Sequence, residues 1–91
     1  MEMKNPLSNF HEIKASISSA VTFIDENGID RTYTLVPPGE SNPSEGKISV
    51  LSPIGNALLN RGIKDQIKIK VPAGEIEILI TQILNKGGDI I

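Results

Sequence analysis

Apolar residues along this chain recur mostly at every second position, in short runs separated by turn residues. Ser19 to Ile24 is rich in β-branched and small side chains and reads as a strand. Asp25-Glu26-Asn27-Gly28 follows, and Asn-Gly is a strong hairpin signal because both residues tolerate positive φ. Ile29 to Val36 alternates and reads as the returning strand. Ile29, Arg31, Tyr33 and Leu35 share one face, and Thr32 and Thr34 take the other. Prolines at 37, 38 and 43 exclude a helix and a central strand, so 37–46 is a loop, longer than most connections. Ile48 to Leu51 predicts a short strand. Its alternation sends Ile48 and Val50 to one face and Ser49 and Leu51 to the other.

The period then changes. Residues from Pro53 to about Asn60 place Ile54, Ala57, Leu58 and Arg61 on one helical stripe. Ser52 is a good N-cap, since its hydroxyl can accept from an orphan N–H of the first turn. Pro53 fits the first helical position, where its missing N–H costs nothing. Gly62 is the expected left-handed stop. Gly55 inside the helix costs about 1 kcal/mol against Ala. Either another backbone comes close to it or the helix simply tolerates it.

Gln66 to Val71 alternates again, with Ile67, Ile69 and Val71 inward and Lys68 and Lys70 outward. Pro72-Ala73-Gly74 is the turn, and Glu75 to Leu84 is the longest strand. Strict alternation puts Ile76, Ile78 and Ile80 on one face and Leu79 and Ile83 on the other, which predicts cover on both sides. Glu75 and Glu77 fall opposite Lys68 and Lys70. The order strand, strand, loop, strand, helix, strand, strand predicts an α+β fold. It is one antiparallel sheet of about five strands with one helix packed on one face. Residues 1–17 are expected to form an N-terminal tail, in which Phe10, Ile13 and Ile17 could anchor a lead-in. The domain then runs over 18–85, and 86–91 are a second tail.

Composition narrows the chemistry. Ninety-one residues make one domain. Aromatics are 3% of the chain, namely Phe10, Phe23 and Tyr33, so the core must be aliphatic and a base-stacking surface is disfavoured. The net charge of −2 argues against nucleic acid as the main partner. There is no cysteine, and no apolar run approaches the ~18 residues of a membrane span. A cytoplasmic monomer is the expectation. His11 is the one histidine and falls in the tail, so no Ser-His-Asp triad can be assembled in an ordered place. The acids are scattered, and the glycines match no phosphate-loop spacing. Neither catalysis, cofactor nor metal is expected. The candidate site is Val50, Leu51, Ser52, Pro53 and Ile54, between a strand end and a helix start. Two readings stand open. An exposed apolar patch with a polar rim marks a protein partner, or Leu51 is core and Ser52-Pro53 merely cap the helix.

Gly46-Lys47-Ile48-Ser49, Ser52-Pro53-Ile54-Gly55 and Ala57-Leu58-Leu59 closely resemble a segment of the C-terminal domain of bacterial Gre transcript-cleavage factors. The flanking pieces match in order: Ser19–Thr22, Tyr33–Val36, the turn carrying Gly62 and Asp65, and Lys70-Val71-Pro72-Ala73-Gly74-Glu75. The resemblance covers about Ala20 to Leu84. It implies an FKBP-like fold that docks on the coiled coil at the rim of the RNA polymerase secondary channel. Contact would fall on Val50, Leu51, Ser52 and Pro53. Leu51 stands where some members carry a polar or acidic residue, and Asn60-Arg61 replace a usual Gly-Lys. Members also carry a long helical hairpin with an acidic tip ahead of this domain. The residues before Ala20 are too few to form it, so the resemblance implies docking without transcript-cleavage stimulation. The chain would be either an excised C-terminal domain or a stand-alone docking module. The alternative is a prolyl isomerase by analogy of fold, or another protein-interaction module.

Overall fold

The computed structural model describes residues 13–85. Five strands follow in chain order: β1 (Ser19–Asp25), β2 (Asp30–Val36), β3 (Lys47–Ser49), β4 (Gln66–Val71) and β5 (Gly74–Asn85). Among the described residues a single α-helix, α1 (Pro53–Leu58), stands between β3 and β4. The strands form one sheet in the order β3-β2-β1-β5-β4. β1 and β5, the first and last of the described strands, are therefore neighbours near its centre.

Three pairings are antiparallel, as expected, but β3 runs parallel to β2, pairing Leu35 with Ile48 and Val36 with Ser49. The sheet is mixed. The cause is the proline-rich connection, which carries the chain back along β2 instead of reversing it. Two single 3₁₀ turns, Pro38–Glu40 and Pro43–Glu45, build that connection. It closes on paired backbone bonds between Asn42 and Lys47, at 2.9 and 3.0 Å.

The first hairpin forms where expected, with a wider turn. Gly28 alone takes a positive φ, 79°, and Asn27 does not. The Asp25 carboxylate accepts from the Asn27 and Ile29 N–H groups at 2.8 and 3.0 Å, which stabilises this longer loop. In the second hairpin Lys68 faces Glu77 and Lys70 faces Glu75, as the alternation predicts.

The core is aliphatic apart from Phe23. It gathers Val21, Leu35, Ile48, Val50, Leu58, Ile67, Ile69, Ile78, Ile80 and Ile83 between the sheet and α1. Ile83 corrects the parity prediction. Thr22 pairs with Gln82 but Phe23 pairs with Ile80, so Thr81 is an extra residue in β5. This β-bulge returns Ile83 to the same face as Ile78 and Ile80. The opposite face of the sheet carries half-buried Leu79 and exposed Leu84 and is not covered among the described residues.

The fold also starts before residue 18. Ala15 is fully buried, its N–H donates to the Arg61 carbonyl at 2.9 Å, and its own carbonyl accepts from Asn60 at 2.7 Å. Ile13 packs against the core, whereas Ile17 is exposed. Phe10, His11 and residues 86–91 lie outside the described residues.

Candidate functional site

Ser52 caps α1 as its position predicts. Its Oγ accepts from the Gly55 N–H at 3.0 Å and donates to the Ser49 carbonyl at 2.7 Å. Its backbone is extended and Pro53 opens the helix. The helix is shorter than expected and ends at Leu58, because Leu59 turns extended. Gly62 is not its stop. Asn60 takes the left-handed conformation, φ 69°, and donates its N–H to Ala15. Gly62 instead is buried, bridges to Lys14, and donates to the Asp65 carboxylate at 2.8 Å. Of the two explanations for Gly55, close approach is the right one: the Ser49 carbonyl leaves no room for a β-carbon.

The five candidate residues divide by burial. Val50 turns inward at 8% exposure, and its N–H donates to the Val36 carbonyl at 3.0 Å, so it anchors the segment from beneath. Leu51 turns outward at 71% exposure, well clear of the core. Its N–H is held by Ser49 Oγ at 2.9 Å, and the Ser52 N–H donates to the Ser49 carbonyl at 3.0 Å. Leu51 is thus presented on a locked turn. Pro53 is exposed, while Ser52 and Ile54 are half-buried.

Beside this turn lies a hollow of about 360 Å³. Ser52, Pro53 and Ile54 form one wall, Tyr33 and Ile48 of the sheet form the floor, and Pro43, Val71 and Pro72 close the sides. Its lining was not foreseen from sequence, because Pro43 and Pro72 come from turns far from α1 in the chain. Among the described residues one aromatic lines it, Tyr33, which packs on Phe23 with ring centroids 5.9 Å apart. Among the described residues no three His, Cys, Asp or Glu side chains converge on a metal-binding arrangement. The surface can bind an apolar group by shape and burial.

The comparisons with known proteins agree on one family. A model described as transcription elongation factor, GreA/GreB, C-terminal, matches residues 11–85. The chain is 46% identical over 71 residues to transcription elongation factor GreA of Dehalococcoides mccartyi, covering 77% of this chain and 46% of the relative. To GreA of Geobacillus kaustophilus it is 41% identical over 69 residues, covering 75% and 44%. Among solved structures it is similar to GreA factor homolog 1 (Gfh1) of Thermus thermophilus, with a TM-score of 0.70 and 29% identity over 80% of this chain and 49% of that one. A GreA/GreB factor from Nitrosomonas europaea superposes with a TM-score of 0.62 and 30% identity, covering 90% and 68%. The chain spans about half the length of the curated relatives it matches.

Proposed function

Because this chain belongs to the GreA/GreB family of transcription elongation factors, through the family's C-terminal domain, we propose that it docks on bacterial RNA polymerase. The seat is the coiled coil of the largest subunit at the rim of the secondary channel. The contact edge is Leu51, Ser52, Pro53 and Ile54, with Val50 holding it from below. The observation that carries this reading is the exposure of Leu51, 71%, on a hydrogen-bonded turn beside an apolar hollow. A large aliphatic side chain held so far out of the core gains by being covered, and a pre-formed turn loses little entropy on binding. The role assigned to these residues is docking, not catalysis.

The test is retention of a recombinant rim coiled coil, or of core polymerase, on the immobilised protein. Retention that disappears in Pro53→Asp is the expected result. No binding by the native protein at high micromolar concentration refutes the proposal.

A further inference from the structure

Resting on that docking reading, we infer that the partner element seated here is uncharged and aliphatic at its point of contact, and that this edge binds without ion pairs. From Ile48 through Asn60 the chain carries no charged residue, although 22% of all its residues are charged. Among the described residues the lining of the hollow is likewise free of charge. Two charged pairs flanking it are matched within the domain: Lys47 lies 3.6 Å from Glu45, and Arg31, two positions before Tyr33 on β2, lies 3.6 Å from Asp25. A charged partner side chain brought to this edge would lose its water and meet no counter-ion, a heavy desolvation cost. An aliphatic side chain loses only unfavourable hydration.

The geometry adds a second constraint. The hollow is roomy enough for an aliphatic side chain, and Leu51, which does not line it, stands exposed on the adjoining turn, whose backbone is already tied to Ser49. The partner therefore presents one aliphatic side chain to the hollow and a second apolar surface to Leu51. Electrostatic steering contributes little, and salt should leave the affinity nearly unchanged.

The experiment titrates bacterial core RNA polymerase against the immobilised protein at about 50 and about 500 mM salt. The expected change in Kd is below about three-fold. Leu51→Asp should weaken binding at least about ten-fold, while Leu51→Met stays within about three-fold of the native protein. Because Leu51 is so exposed, the thermal midpoints of both variants should match the native one, which separates lost contact from lost fold. A larger salt effect, or undiminished binding by Leu51→Asp, overturns this inference and leaves docking itself standing. Absence of native binding at both salt concentrations overturns the docking reading and this inference with it.

Discussion

A β-carbon on Gly55 would lie 1.9 Å from the carbonyl oxygen of Ser49 and 2.8 Å from its carbon. The neighbour is backbone, and it is fixed twice, by the pairing of Ser49 with Val36 and by the two bonds its oxygen accepts from Ser52. Gly55→Ala must therefore push α1 away from β3. The expected cost is about 3 kcal/mol, at the upper end for overpacking. It would be read as a lower urea midpoint. Gly39→Ala, where a β-carbon meets nothing, is the control and should stay within about 0.5 kcal/mol.

Ser52 acts on both sides of the strand-to-helix junction, accepting from Gly55 and donating to Ser49. Ser52→Ala removes both bonds and should cost about 1–2 kcal/mol. Ser52→Thr keeps a hydroxyl and should recover most of that loss in the same denaturation experiment.

The bulge at Thr81 separates Ile83 from Leu84. Ile83 is 7% exposed and Leu84 is 54% exposed. Ile83→Ala should cost about 2–4 kcal/mol, by lost burial plus the cavity left behind, and Leu84→Ala under about 1 kcal/mol. Strict alternation from Ile80 would place Ile83 on the other face. Equal costs for the two variants would contradict the bulge.

That contrast shows where the amino-acid pattern was legible. Local chemistry carried far: Ser52 caps, Pro53 opens the helix, and Ile48 and Val50 face in, all from neighbour-to-neighbour rules, whereas the choice between a core and an exposed Leu51 took the folded structure to decide. What escaped depended on partners distant in the chain. Thr81 looks like any strand residue until β1 fixes its register. Gly62 looks like a helix stop until Ala15 ties down Asn60 instead. The parallel pairing of β3 with β2 is invisible because a ten-residue loop can reverse a chain or carry it back. The hollow joins Tyr33, Pro43, Ile54 and Pro72, residues with no shared local pattern.

Asp25 makes a pH prediction with a definite sign. The Ile29 N–H is the main influence that holds its carboxyl below the ordinary value of 3.8, opposed by partial burial and helped by Asn27 and Arg31. The folded form therefore binds this proton less readily than the unfolded chain. Its contribution to stability is complete above the unfolded value and is lost as pH falls through the folded one. Asp25→Asn should be less stable than the native protein at neutral pH. The two urea midpoints should converge as the pH drops below about 4.

Pro53→Asp separates docking from folding. An acidic residue in the first turn of a helix is tolerated and even favourable against the helix dipole. The variant should keep its thermal midpoint to within a few degrees while losing retention on polymerase. A variant that still binds would remove Pro53 from the contact edge.

The adjacency of β1 and β5 has a consequence for biogenesis. Ser19 pairs with Asn85, and the Ser19 hydroxyl meets the Asn85 side chain, so the middle of the sheet joins residues from opposite ends of the domain. A loop of that length must close before its contacts return any free energy, which slows folding. During synthesis the β1–β2 hairpin emerges early but lacks its central neighbour until β5 has cleared the ribosome. Nascent chains stalled before β5 should therefore expose the inner face of that hairpin to chaperones and proteases, and acquire resistance only once β5 has emerged.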